Sequence, residues 1–265
     1  MQKVFKKVGI IFNKDIEDST EIANLLNQKL ENSELFEISD MKNDFDLAIA
    51  IGGDGTFLKC SRFFSKFDIP ILGFNVGRLG YLAQAKPNEI DNVIQKLKNS
   101  DFEFEDRLML KANEFTALND IVVKGATCAR SSTFDLFIND KIICSYVADG
   151  IIISTPTGST AYSLSAGGPI VCPKLDCFLI IPICAHTLNA RPIVVPAFET
   201  IKIKTHEKDQ DLNISYDGQV DKIVKNEITI QKNENCAKLL ILNHNKNKFY
   251  DILKEKLHWA VPPEK

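Results

Sequence analysis

A single carboxylate stands between glycines in Gly52-Gly53-Asp54-Gly55-Thr56, directly after the apolar run Leu47-Ala48-Ile49-Ala50-Ile51. Two readings compete for it. Asp-Gly suits a type I′ hairpin turn. Alternatively, the glycines form a loop between a strand and a helix, which aims backbone N–H groups and the positive end of the helix at one spot and so favours phosphate. A carboxylate in such a place repels phosphate unless it has a task. Removing a proton from a hydroxyl within about 3 Å is such a task, and small neighbours leave room for that approach. Neither GxxxxGK(S/T) nor the GxGxxG spacing is present, so the loop is not one of the common phosphate binders.

Three other stretches carry polar groups in unusual places. Between Ser154 and Ser165, seven of twelve residues are Ser or Thr. A solvated loop is the plain explanation. Yet the tract follows the apolar Ile151-Ile152-Ile153 and runs into Gly167-Gly168-Pro169. Ser159 or Thr160 is expected to cap a short helix that Gly167 stops, presenting hydroxyls, N–H groups and the Tyr162 ring to a flat polar ligand. Asn119 and Asp120 interrupt a strand-like run, where such residues are depleted, marking either a bulge or a site. Asp217-Gly218-Gln219 reads as a hairpin turn. No GxSxG elbow and no Ser-His-Asp order appears, which counts against hydrolase chemistry.

The elements that must position these groups fall into two regions. Up to about residue 105, strand and helix signals alternate, as in a parallel α/β layer. Val8–Phe12 is a strand. Asp18 is expected to cap a helix, with Glu21 three residues on and Ile22, Leu25, Leu26 and Leu30 on one face. The run 46–51 reads as a strand covered on both faces, 56–67 as a helix and 69–75 as a strand. Ile90, Val93, Ile94 and Leu97 fall at helical spacing. Beyond residue 105 the period becomes two. Phe134–Cys144 alternates around Asn139-Asp140, and 200–206, 212–220, 227–231 and 237–243 continue in the same style. The expectation is an α/β domain over 1–105 that recovers the helical tail 244–265, and an antiparallel β domain over 106–243.

Composition limits the partners. The 265 residues carry a net charge of −3, with 25% charged and 45% hydrophobic residues and no basic run, which gives no footprint for nucleic acid. No apolar stretch approaches the roughly 18 residues of a transmembrane helix, and the N-terminal Val-Gly-Ile-Ile-Phe lacks a cleavage site. Seven cysteines without a CxxC pair read as free thiols in a reducing compartment, and four scattered histidines without ligand spacing disfavour a zinc centre. Cytoplasm is the expected location.

Taken together, GGDGT at 52–56, GFNVGRLGYL at 73–82, LND at 118–120, DGIIISTPTGSTAYSLSAGGPI at 149–170 and DGQ at 217–219 resemble the bacterial NAD kinase family, in that family's order. GGDG alone is shared with diacylglycerol kinase-like and phosphofructokinase-like enzymes; the hydroxyl-rich block is far more specific. The resemblance implies a Rossmann-like α/β domain followed by a β-sandwich. It implies transfer of the γ-phosphate of ATP to the 2′-hydroxyl of the adenosine ribose of NAD, aided by a divalent cation such as Mg²⁺, in a homodimer or homotetramer. Inorganic polyphosphate stays open as a second donor. By the same resemblance Asp54 is the catalytic base, and Gly55 shares its binding turn. Asn119, Asp120, Asp149, Thr160, Ala161, Tyr162, Ser163, Leu164 and Ser165 form the dinucleotide pocket, and Arg130 and Gln219 are further contacts. Val147 stands where the family often has a polar or basic ligand contact, so only its backbone could serve. Asp120 replaces the usual Glu. Gly52, Gly53, Thr56 and Asn75 support the nucleotide loop, and no metal ligands are assigned. Two rivals remain: a diacylglycerol-type lipid kinase, against which the hydroxyl-rich block and the missing membrane-binding face count, and a non-catalytic NAD-binding sensor, against which the retained Asp54 counts.

Overall fold

The computed structural model describes residues 5–76, 80–83, 85–126, 131–186, 189–205, 211–242 and 248–257. The chain divides into two compact units, one of residues 1–105 and 238–265, the other of 106–237.

The first unit is built on a six-stranded sheet. Strands β1 (Val8–Phe12), β2 (Ser33–Glu37), β3 (Leu47–Gly52) and β4 (Ile71–Asn75) lie in the order β2-β1-β3-β4, followed by Ala237–Ile241 and then Glu103–Arg107. The pairs β1/β2, β1/β3 and β3/β4 are parallel. Every residue of β3 is buried, which explains its unbroken apolar run: a strand with both faces covered has no polar side to alternate with. Helices α1 (Ser19–Lys29), α2 (Asp54–Phe64) and α3 (Ile90–Lys98) supply the cover. In α3 the buried residues are Ile90, Val93, Ile94 and Leu97, one face of a 3.6-residue period.

Three expectations need correcting here. Asp18 precedes α1 but sits in the left-handed region (φ 64°) and its side chain caps nothing. In α1, Ala23 is buried and Leu25 is exposed. Strand Ala237–Ile241, expected in the antiparallel region, pairs in parallel with β4. The physical reason is legible afterwards: Leu239 and Leu240 are both buried, so the strand is apolar on both faces, as a central parallel strand must be. The edge strand Glu103–Arg107 reads Glu-Phe-Glu-Asp-Arg, and its charge discourages pairing with another chain. Helix Lys248–Leu257 belongs to this unit and brings Lys256 Nζ 5.5 Å from the centre of the Tyr81 ring.

The second unit is a sandwich of two six-stranded sheets. Ile121, Val123, Ile151, Ile153, Ile214 and Tyr216 of one sheet pack on Phe134, Leu136, Ile201, Ile203, Ile228 and Ile230 of the other. Each set takes alternate residues of its strands, as inner faces of a sandwich do. The Asn139-Asp140 turn joins Ser132–Ile138 to Lys141–Ala148 with both residues at positive φ (49° and 62°). This is the type I′ backbone whose twist matches the flanking strands. Asp217-Gly218 (φ 52° and 62°) also turns the chain between Asp211–Tyr216 and Val220–Lys225, with Gln219 completing a three-residue loop.

Candidate functional site

In the first unit, β3 ends at Gly52, Gly53 bridges, and Asp54 is the first residue of α2. The hairpin reading of Asp54-Gly55 is therefore excluded. The turn is closed by Thr56 and Phe57, whose N–H groups donate to the Gly53 carbonyl at 3.0 and 3.2 Å. The Asp54 carboxylate thus lies at the positive end of a three-turn helix, a placement that stabilises a negative charge by about 0.3–1 kcal/mol. Gly52 has no room for a side chain, because a Cβ would strike Thr56 Oγ1 and come within 2.8 Å of its Cβ. Around Gly53 the opposite holds, and a Cβ would meet nothing within 4 Å. Asp54 itself is only half-buried, and the space beside Gly53 is open.

The Gly80 side of Asp54 is crowded. A Cβ on Gly80 would overlap the Asp54 carboxylate, with Cγ 2.6 Å away. Next to it, the Tyr81 hydroxyl is buried without a hydrogen-bond partner. Burial, and then the Asp54 charge, push its phenol pKa up, so it stays a protonated donor. Thr56 Oγ1 is likewise buried and unpartnered. Asn75 is buried at the end of β4, opposite Gly52, and its N–H donates to Ala85 O at 3.0 Å.

In the second unit, the hairpin residue Asp217 reaches back almost a hundred residues. Its carboxylate accepts from the N–H groups of Leu118 (3.1 Å), Asn119 (2.7 Å) and Asp120 (3.3 Å). Three backbone donors fix its orientation. Asp120 lies beside it, only 4% exposed. Burial, and second the Asp217 charge, push the Asp120 carboxyl up to about 7. The pair therefore divides its labour: Asp217 anchors the backbone and Asp120 can hold a proton near neutrality.

The hydroxyl-rich tract is not a solvated loop. Ser154, Thr155, Ser159 and Ser163 are fully buried. Thr155 N–H donates to Asn119 O at 2.9 Å, Thr155 Oγ1 donates to Leu118 O at 2.6 Å, and the Gly158 N–H donates to Thr155 Oγ1 at 3.1 Å. Gly158 abuts the Asn119 backbone so closely that a Cβ would meet its Cα at 2.7 Å. These contacts lock the tract onto Leu118-Asn119. The expected cap is also corrected. The helix runs only from Tyr162 to Ser165, with Ala161 before it and no side-chain cap. Ser159 instead accepts from Val171 N–H at 3.1 Å and donates to Pro156 O at 2.7 Å, fixing the return of the loop. Gly167, at φ 86°, does end the helix.

Asn119, Asp120, Ala161 and Tyr162 line a cavity of about 440 Å³. Its far wall is Asn213 and Ser215, which the sequence reading missed. The signal was available: on Asp211–Tyr216 the residues Leu212, Ile214 and Tyr216 are buried in the core, so Asn213 and Ser215 must face the other way. Asn213 Oδ1 is buried without a partner. Val147, Asp149, Thr160, Ser163, Leu164, Ser165 and Gln219 do not line this cavity. Val147 is exposed, and its carbonyl already accepts from His186 N–H at 2.8 Å. Asp149 is exposed at the start of Gly150–Ser154. Arg130 lies outside the described residues. Among the described residues no three His, Cys, Asp or Glu side chains come together to hold a metal, and no helix is long and apolar enough to cross a membrane.

Two family profiles match the chain: the ATP-NAD kinase N-terminal domain over residues 6–102 and the ATP-NAD kinase C-terminal domain over residues 118–241. An NAD kinase of Clostridium perfringens is 37% identical over 95% of this chain and 98% of its own. One of Carboxydothermus hydrogenoformans is 42% identical over 86% of this chain and 84% of its own. Among solved structures, an NAD kinase from Archaeoglobus fulgidus in complex with ATP superposes with a TM-score of 0.78 at 27% identity, covering 94% of this chain and 98% of that one. Yeast NADH kinase complexed with NADH superposes at 0.80 and 26% identity, covering 98% and 90%.

Proposed function

The chain belongs to the ATP-NAD kinase family, and from that premise we propose how its own residues divide the work. The reaction is phosphorylation of NAD: the γ-phosphate of ATP passes to the 2′-hydroxyl of the adenosine ribose, giving NADP and ADP. A secondary hydroxyl is a poor nucleophile at neutral pH, so a carboxylate must take its proton as the new P–O bond forms. Asp54 has that role. The observation that carries it is a carboxylate fixed at the head of α2 with one side open at Gly53. The positive end of the α2 dipole then favours the phosphates, whose transfer needs positioning and charge stabilisation more than covalent chemistry. Gly52, Gly55, Thr56 and Asn75 shape this turn.

The dinucleotide is held by Asn119, Asp120 and the Tyr162 face, with Asp217 fixing the backbone of the first two. Thr160, Ala161, Ser163, Leu164, Ser165, Asp149, Val147, Gln219 and Arg130 complete the binding set in this reading. The residues do not fit a metal centre held by protein side chains, since no three ligands converge among those described. A divalent cation would arrive on the ATP phosphates, as Mg²⁺ usually does, and screen their charge. We take ATP as the donor, with polyphosphate as an outcome of the assay. We also take the enzyme to be a cytoplasmic homodimer or homotetramer. Exposed Ile142, Ile143 and Val147 on an edge strand support an interface there.

The test is to incubate the protein with NAD, ATP and Mg²⁺ and to measure NADP with an NADP-specific dehydrogenase, beside Asp54→Asn. The variant should lose at least about 10³-fold in kcat while still binding NAD, a larger loss than one misaligned acid–base group usually gives. A variant with near-normal kcat would remove Asp54 from the role of base. Turnover with polyphosphate but not ATP would change the donor and leave the base in place.

A further inference from the structure

We propose that Gly80 is a positioning residue for the reaction: its bare α-carbon is the wall that sets the orientation of the Asp54 carboxylate. The inference rests on the reading of Asp54 as the base. It begins with a question of space. The three heavy atoms nearest to a Cβ built on Gly80 are Oδ1, Cγ and Oδ2 of Asp54, and the last two lie at 2.6 and 2.8 Å. Real Cβ atoms do not come this close to anything. The backbone of Gly80 is not in the left-handed region, unlike Gly167 and Gly218. A left-handed backbone is therefore not what calls for glycine here. What requires glycine at position 80 is the carboxylate.

Two further groups flank the contact. Tyr81, the next residue, is close enough for the Asp54 charge to act on its phenol. Its ring is covered by Lys256 Nζ at 5.5 Å. On the chain side, Asp54 is fixed by the first turn of α2, which the Gly53 carbonyl closes. A carboxylate has only two side-chain torsions, and a wall on one side leaves few orientations that direct an oxygen into the open flank at Gly53.

A substitution at 80 should therefore act in an unusual way. The atoms that must yield to a new methyl group are the free end of a short side chain. The fold survives and the carboxylate turns aside. Displacing a reacting group by about 1 Å costs on the order of 10²-fold in rate. Gly80→Ala should lower kcat by about that factor, with KM for NAD and for ATP within about threefold of wild type, because groups that bind substrate without reacting are untouched. In an Asp54→Asn background, adding Gly80→Ala should cost less than about threefold of the residual rate, since no base remains to be misplaced.

The four proteins are assayed by NADP formation, with NAD affinity by calorimetry and Tm by circular dichroism. The expected result is the kcat loss in Gly80→Ala, its near-absence in the Asp54→Asn background, and an unchanged Tm. Wild-type kcat in Gly80→Ala would overturn the inference, and so would a loss that is fully additive with Asp54→Asn. If Gly80→Ala lowers Tm, the pair Asp54→Ala/Gly80→Ala must restore it, because the new Cβ then meets no carboxylate; failure to restore also overturns it. Near-normal kcat in Asp54→Asn alone would instead remove the base assignment, which is a separate result.

Discussion

Replacing Asp120 by Asn should make the protein more stable, and increasingly so as pH rises. The carboxyl is pushed from its ordinary 3.8 to about 7 by burial and by the Asp217 charge. Between those values the folded protein holds a proton that the unfolded chain has lost. Stability therefore falls as pH rises through this window, and the penalty is complete above about 7. The gap of roughly three pK units corresponds to about 4 kcal/mol at alkaline pH. At pH 5 only the first part of the window has been crossed, and the penalty is about 2 kcal/mol. Asn keeps the shape and cannot ionise. The difference in unfolding free energy between Asp120→Asn and wild type should grow by about 2–3 kcal/mol from pH 5 to pH 8. Urea unfolding of both proteins at pH 5, 6.5 and 8 measures this directly. A difference that stays flat across that range would refute the argument, whatever its size, because a constant offset reports packing and not a titrating group. NAD affinity of the same variant shows what the carboxyl is retained for: in the proposed pocket Asp120→Asn should bind NAD more weakly while folding more firmly.

Two further outcomes follow from the geometry. Gly158→Ala drives a Cβ into the Asn119 carbonyl; backbone cannot swing aside as a carboxylate can, so a loss of about 1–3 kcal/mol in unfolding free energy is expected, together with weaker NAD binding. EDTA should stop turnover but leave the Tm of the free protein within about 1 °C, because a metal bound only to N would otherwise raise stability by mass action; a fall of several degrees would point to a protein-held ion.

The sequence speaks clearly where one residue type answers to one local cause. The unbroken apolar run of β3, the spacing of Ile90, Val93, Ile94 and Leu97, and the Asn139-Asp140 turn are each decided within a few residues. Asp54 was legible for the same reason, since its flanks favoured a strand–loop–helix over a hairpin. What stayed hidden is long-range. Asp217 reads as a turn residue and is one, yet its carboxylate also organises Leu118, Asn119 and Asp120. Ser159 looks like a cap and serves as a brace for Val171 and Pro156. The pattern of Ala237–Ile241 fits either region by β-propensity, and only burial on both faces separates them. Gly80 stood in a glycine-containing loop with no sign that a carboxylate was its neighbour.

The path of the chain through the first sheet has a consequence for the order of assembly. Strand Ala237–Ile241 lies between β4 and Glu103–Arg107, so the two strands at which the chain leaves and re-enters that sheet are neighbours. During synthesis β1 to β4 emerge first, and then the whole of 106–237 is translated before the missing strand appears. Until then β4 has a bare edge and Glu103–Arg107 has nothing to pair with. The sandwich, by contrast, has all its strands by residue 237. Domains generally fold as they emerge, the N-terminal one first. Here the region translated second can finish first, while the nascent sheet carrying Asp54 waits for the far end of the message to fill its gap.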